Sequence, residues 1–193
     1  MEKKYLNIKL KLKRNKEFTL IKYKYKKRSY DERPMALDVL LQAQEEKYDD
    51  LAFRYGCRAR NCGVCTIDVN NRPKLACRAR VREGDILSAM ATLPVIKDLV
   101  VKRDAITRQM KGYNNISNAN DLNKDADKTY HNLTACIECY ACLDGCPVHA
   151  KNNIVDIQNN VAYKFGNPYS FLKIQRLLID PLTPEREKNR LID

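Results

Sequence analysis

Apolar and basic residues alternate along Tyr5–Leu12 and again along Phe18–Tyr25. A period of two puts one set on each face of a strand, so these runs predict a β-hairpin turning around Lys13–Glu17. After Pro34 the rhythm changes. Across Met35–Lys47, residues Met35, Leu37, Leu40 and Leu41 fall near one helical stripe, and Pro34 suits a helix start. Two short strands follow, Cys65–Val69 and Lys74–Cys77, joined by the turn formers Asn70-Asn71-Arg72-Pro73. Asp85–Met90 supplies a final strand. Hairpin, helix and further strands predict a small sheet packed on one helix.

From Lys97 onward the signals become helical. Asp98–Met110 predicts a helix, and the Asn-rich stretch Tyr113–Lys124 predicts an exposed loop. Tyr169–Asp180 has helical spacing at Phe171, Ile174, Leu177 and Leu178, interrupted by Pro181 and Pro184. The charged tail, Glu185–Asp193, reads as surface. The composition shift near residue 100 divides this α+β chain into two domains, residues 1–101 and 102–193.

Charge narrows the picture. The chain has 193 residues and a formal net charge of +12, and residues 1–33 hold thirteen Lys or Arg against four acids, or +9. Such a segment suits nucleic acid, an anionic membrane surface or an acidic protein partner. Lys9, Lys11, Lys13, Lys22, Lys24 and Lys26 occupy the polar positions of the two predicted strands, however, which favours solvated faces that protect a sheet edge. No run approaches the roughly 18–20 apolar residues needed to span a bilayer. The opening MEKKYLNIKLKLKR has no apolar core and no small-residue cleavage site, so no secretory signal is expected. Eight cysteines in that setting point to a reducing, cytoplasmic compartment and to metal ligands rather than disulfides.

Those cysteines form two runs. The first is Cys57-x4-Cys62-x2-Cys65-x11-Cys77, with three thiols on one loop and a fourth beyond a turn. Four thiolates must wrap an inorganic core, and Gly56 and Gly63 permit tight backbone there. This is the plant-type [2Fe–2S] spacing. A structural zinc site would rather use two short Cys pairs split by a longer spacer. The second run, Cys136-x2-Cys139-x2-Cys142-x3-Cys146-Pro147, has the bacterial-ferredoxin spacing of a [4Fe–4S] cluster. Its last cysteine ordinarily serves a neighbouring cluster, yet the run occurs once and no thiol follows Cys146. His131 and His149 are the two histidines, and His149 reads as a solvent-facing residue rather than an iron ligand. No nucleophile–base constellation, Gly-rich phosphate loop or paired-carboxylate motif is present, so no catalytic residue is assigned.

In order along nearly the whole chain, the sequence resembles the iron–sulfur subunits of the succinate dehydrogenase / fumarate reductase family. The resemblance rests on Leu51-Ala52-Phe53-Arg54, the Cys57–Cys65 loop, Pro73-Lys74-Leu75-Ala76-Cys77, Leu93-Pro94-Val95-Ile96-Lys97-Asp98-Leu99-Val100-Val101, Cys136-Ile137-Glu138-Cys139 and Leu177-Leu178-Ile179-Asp180. It implies a β-grasp [2Fe–2S] domain over 1–101 and the N-terminal half of an α-helical [4Fe–4S] ferredoxin-like domain over 102–193. It also implies an electron-transfer subunit of an oxidoreductase complex, partnered by a FAD flavoprotein and held peripherally on a membrane through other subunits. Three departures stand out. The chain stops before a second cysteine run, so that half is a separate Cys-rich chain contributing to a shared further cluster, or Cys146 completes a single cubane. Val148-His149-Ala150-Lys151-Asn152-Asn153 replaces the aromatic residues of quinone-reducing members, which opens a thiol/disulfide acceptor and a heterodisulfide-reductase-like partner in place of a quinone and membrane anchor. Ala59-Arg60 stands where the family often has an acid and a glycine, and the added positive charge should favour the reduced cluster. The competing class is a zinc-stabilised basic nucleic-acid-binding module, which the [2Fe–2S] spacing and the Cys-Pro ending disfavour.

Overall fold

A computed structural model describes residues 4–29, 31–108, 125–147, 149 and 167–192. The first hairpin joins β1 (Tyr5–Arg14) and β2 (Glu17–Lys26), antiparallel from Tyr5↔Lys26 to Arg14↔Glu17. Its turn is tighter than the sequence pattern predicts. Asn15 and Lys16 both take positive φ, 49° and 70°, which is how a two-residue turn matches the twist of its strands. A second two-residue turn, Asn70-Asn71 with φ 53° and 59°, links β3 (Thr66–Val69) to β4 (Arg72–Leu75). Arg72 and Pro73 therefore belong to the strand rather than the turn. Pro73 is tolerated because β4 is an edge, where a missing N–H costs no ladder bond.

These strands and β5 (Ile86–Ser88) form one sheet in the order β2-β1-β5-β3-β4, with β5 parallel to β1 and antiparallel to β3. Helix α1 spans Ala36–Glu46, and the Asp38 carboxylate reaches back to accept the Met35 N–H at 2.9 Å. Ile8, Leu10 and Leu12 of β1, Leu37 and Leu40 of α1, and Ile67 and Val69 of β3 share one core. Period two in the strands meets the helical stripe there, so the binary pattern alone accounts for the sheet-on-helix packing. Tyr23 and Tyr25 lie in this core with their hydroxyls on Glu46 and Glu32. Burial, then those carboxylates, raises both phenols well above their ordinary pKa.

The region read as a helix over Asp98–Met110 folds differently. Strands β6 (Val95–Lys97) and β7 (Val100–Val101) form a small antiparallel ribbon, and among the described residues of the span only α2 (Asp104–Arg108) is helical. Asp98 is the cause. It sits at the ribbon's turn with φ 48°, fully buried, and its carboxylate accepts from Arg14 Nε at 3.0 Å and from the Ala52 N–H at 2.9 Å. That clasp holds the end of β1 and the chain entering the first cysteine loop. The loop expected over Tyr113–Lys124 lies outside the described residues.

The contacts divide the chain into two units. One comprises residues 1–102 together with Ile137–Gly145, so the middle of the second cysteine run packs as part of the sheet domain's unit. The other comprises Arg103–Cys136 and Cys146–Asp193. Within it, α3 (Lys128–Thr134) is capped by Asp127, whose carboxylate accepts the Tyr130 N–H at 2.8 Å. Helix α4 (Pro168–Ile179) follows the cap Asn167 and has Pro at its first position. The Tyr130 hydroxyl donates to Asp180 at 3.1 Å, tying α3 to the end of α4. The charged tail is helical, α5 (Glu185–Ile192), with Lys188–Glu185 and Arg190–Glu187 pairs one turn apart. Among the described residues no helix is long and apolar enough to cross a membrane.

Removing the Asp98 carboxylate leaves the Ala52 N–H without its acceptor and takes one of two carboxylates from the Arg14 guanidinium, which keeps Asp50 at 2.8 Å. Asp98→Ala is expected to cost about 3 kcal/mol in denaturant unfolding. Asp98→Asn, which keeps an acceptor and tolerates the left-handed backbone, should cost about half of that.

Candidate metal centre

The loop from Gly56 to Cys65 is built from backbone that turns repeatedly. Arg58, Arg60 and Gly63 have φ of 55°, 64° and 63°, and this curvature points successive amides inward. The Cys57 sulfur accepts N–H bonds from Ala59 and Asn61, each at 3.3 Å. Those two amides, followed by the neighbouring Cys62 thiol, lower the Cys57 thiol to a pKa of about 7. Donation of this kind stabilises a thiolate, the form that binds metal.

The four thiols of this run come as two pairs. Cys62, half-buried, neighbours the exposed Cys57 on the outer side of the loop. Cys65 and Cys77 pair on the inner side, both buried. Burial pushes the Cys65 thiol up, against a Cys77 backbone N–H that donates to its sulfur. Cys77 is delivered by the turn after β4, and the Ala76 N–H bonds to the Cys65 carbonyl at 2.9 Å. Among the described residues no three Cys, His, Asp or Glu side chains gather as the ligands of one ion. Two thiol pairs suit two irons better than one zinc, so the donor set fits a [2Fe–2S] cluster.

The second run is placed in two parts. Cys139 and Cys142 belong to the unit that holds the sheet, whereas Cys136 and Cys146 belong to the other unit. Gly63 accounts for the first placement. A Cβ there would stand 2.0 Å from the Ile137 carbonyl oxygen and 2.9 Å from the Cys139 nitrogen, so the two cysteine segments meet backbone to backbone. Glu138 and Tyr140 both take positive φ, which turns this segment tightly around Cys139. His149 is fully buried, which corrects its reading as a solvent-facing residue: a lone polar ring in a polar stretch predicts surface, but its position is interior.

Pattern reading also passed over Asp68. Its neighbours Ile67 and Val69 face the apolar core, and strand alternation sends Asp68 to the opposite face, where it is 2% exposed. One carboxylate oxygen accepts the Ala91 N–H at 3.0 Å, while the other has no hydrogen-bond partner among the described residues. Desolvation, reinforced by the charge of Asp144 in the second cysteine segment, raises its pKa to about 6. A lone acid inside the run Thr-Ile-Asp-Val was the available signal.

A sheet-on-helix unit presenting four paired thiols from one loop and one strand end defines an iron–sulfur protein. The chain belongs to the 2Fe-2S iron-sulfur cluster binding domain family, whose model matches residues 7–108. It is similar to a subunit of the fumarate reductase (CoM/CoB) of Methanothermobacter marburgensis, at 32% identity over 79% of this chain and 31% of that one. It is also similar to the fumarate reductase iron-sulfur subunit of Escherichia coli O157:H7, at 30% identity over 64% of this chain and 55% of the relative. The chain therefore spans about a third of the first relative and about half of the second. A chain of the Mycobacterium smegmatis Sdh1 complex shares the fold, with a TM-score of 0.77, 22% identity, and coverage of 93% of this chain and 77% of that one.

Two outcomes follow from this geometry. Gly63→Ala should destabilise the unit by at least about 3 kcal/mol and speed amide exchange across 137–145, because the methyl displaces a carbonyl. Gly56→Ala, whose Cβ would meet the Cys62 sulfur at an ordinary 3.4 Å, should stay within about 1 kcal/mol of the parent. For Asp68, the folded state binds its proton more tightly than the unfolded chain does. Its contribution therefore falls as pH rises from about 4 to about 6 and then levels. Asp68→Asn should stabilise the protein at pH 7 by up to about 2 kcal/mol and flatten that segment of the stability–pH curve.

Proposed function

We propose that the chain is the electron-transfer iron–sulfur subunit of a succinate dehydrogenase / fumarate reductase-type complex, with no catalytic site of its own. The observation that carries this reading is the paired arrangement of Cys57 with Cys62 and Cys65 with Cys77, on a fold shared with the relatives above. A [2Fe–2S] cluster held by these four supplies one-electron acceptance and donation when bound. The chain's own residues do the rest: amides of Ala59 and Asn61 hold charge on the Cys57 sulfur, and burial shields the Cys65–Cys77 side from water.

Cys136, Cys139 and Cys142 hold a [4Fe–4S] cluster, and Cys146 ligates either that cluster or one shared with a second Cys-rich chain. The domain division at residues 101/102 belongs to this reading. Electrons pass between a FAD flavoprotein and a further iron–sulfur, quinone or thiol/disulfide module. The name of the methanogen relative, which couples fumarate reductase to CoM/CoB, supports the thiol/disulfide version. The complex places the chain in the cytoplasm, peripheral to a membrane through partner subunits. The zinc-stabilised nucleic-acid-binding alternative has no support in the fold or in these relatives.

Anaerobic purification should yield a coloured protein with iron and acid-labile sulfide. Cys62→Ser should remove or strongly shift its [2Fe–2S] electron paramagnetic resonance signal and leave a [4Fe–4S] signal in place. The isolated chain should not reduce fumarate with a chemical reductant until the flavoprotein is added. A colourless zinc protein, or fumarate reduction by the chain alone, would overturn the proposal.

A further inference from the structure

A cleft of about 430 Å³ opens beside the first cysteine loop, lined by Arg60, Lys74, Leu75, Arg78 and Ala79. Arg60 lies between Cys57 and Cys62 in the chain, and Arg78 directly follows Cys77. The cleft is thus bounded by both ends of the thiol set. All three cationic side chains are exposed, and none makes a salt bridge or side-chain hydrogen bond among the described residues. Among the described residues no acid lines the cleft. Arg60 is moreover held in the left-handed region at φ 64°, where a non-glycine residue is strained. Three converging cations without a counter-charge make a site for an anion.

Its form argues for carboxylates rather than phosphate. The first amides of α1, which would ordinarily attract a phosphate, are already spent on this segment. The Ala36 N–H bonds to the Ala79 carbonyl at 2.7 Å and the Leu37 N–H to the Ala76 carbonyl at 3.0 Å. Recognition is left to long side chains, of which the two guanidiniums match carboxylates in bidentate geometry. The volume falls in the range of sites that take drug-sized ligands, about 300–1,000 Å³, and so admits several side chains together. Pro73 removes a donor from the β4 edge, which works against an added strand as the mode of docking.

We propose that the Arg60–Lys74–Arg78 cleft seats the carboxylates of an acidic segment on the protein that exchanges electrons with the Cys57–Cys77 site. This rests on the electron-transfer reading above. The exposed Cys57 and half-buried Cys62 mark the outer side of that site, and a partner anchored on Arg60 stands next to it. Complementary charge would speed and orient such an encounter.

The test uses the full chain, purified with its clusters, and a fluorescein-labelled hexaglutamate peptide followed by anisotropy. The double variant Arg60→Gln/Arg78→Gln should weaken peptide binding at least about fivefold. Lys22→Gln/Lys24→Gln, the same loss of charge on β2, should change it less than about twofold. Inorganic phosphate should displace the peptide no better than chloride at equal ionic strength. Equal weakening by both variants would make the attraction a diffuse charge effect, and preferential displacement by phosphate would make this a small-anion site. Either result, or no binding by the coloured parent protein, overturns the proposal. Loss of the electron-transfer reading would instead show as a colourless protein, read from the visible absorbance of the same sample.

Discussion

The two cysteine segments can approach because residue 63 has no side chain. The Ile137 carbonyl occupies the volume a Cβ would fill, so the Cys57–Cys65 loop and the segment beginning at Ile137 meet main chain to main chain at this point. Main-chain contact leaves little to adjust, since neither partner can rotate away as a long side chain would. The placement of Cys139 and Cys142 with the sheet follows from it. Two contacts hold Gly63 in position: the buried Asp98 clasp fixes the chain entering the loop at Ala52, and β3 anchors the exit at Thr66, whose hydroxyl donates to the Gly63 carbonyl.

The loop is also graded from outside to inside. Cys57 is exposed, its sulfur bonded by two amides, and its thiol is poised near neutral pH. Cys65 and Cys77 are buried, and there desolvation works against charge. Continued inward, the same trend reaches Asp68, a carboxylate with one oxygen unpartnered among the described residues, on the face opposite the apolar core. A metal centre binding the four thiols would supply the positive charge that the inner pair lacks. It would not supply the missing partner of Asp68, so this residue remains a net cost to folding at neutral pH.

Those parts of the fold that depend on local pattern were legible in the sequence. Alternation located β1, β2 and β3, the helical stripe located α1 and α4, and the cysteine spacing pointed to the site before any geometry was known. What escaped depended on tertiary contacts. The span Asp98–Met110 reads as a helix, but the burial of Asp98 forces a turn that no propensity anticipates. The turns at Asn15-Lys16 and Asn70-Asn71 were foreseen in place, though longer than they are, because the extent of a strand is settled by its partner's register. Helices α3 and α5 are short and polar. Their caps and ion pairs, rather than an apolar stripe, account for them.

Positive charge is the remaining thread, and the sequence weights it misleadingly. The basic N-terminal segment draws the eye, yet much of it has local employment. Lys24 lies over the Tyr5 ring at 4.4 Å, Lys11 over Phe18 at 5.3 Å, and Lys13 donates to the Val95 carbonyl at 2.9 Å. Lys22 and Lys26 sit exposed on β2, an edge strand, where charge discourages pairing with another sheet. On the first cysteine loop Arg58 is likewise occupied, over the Tyr55 ring at 5.6 Å, whereas the cations of the cleft have no such role among the described residues. Arg60 and Arg78 bracket the thiols in sequence and converge with Lys74 only through the β3–β4 hairpin. Charge density along a chain therefore says less about function than whether each charge already has a partner in the fold.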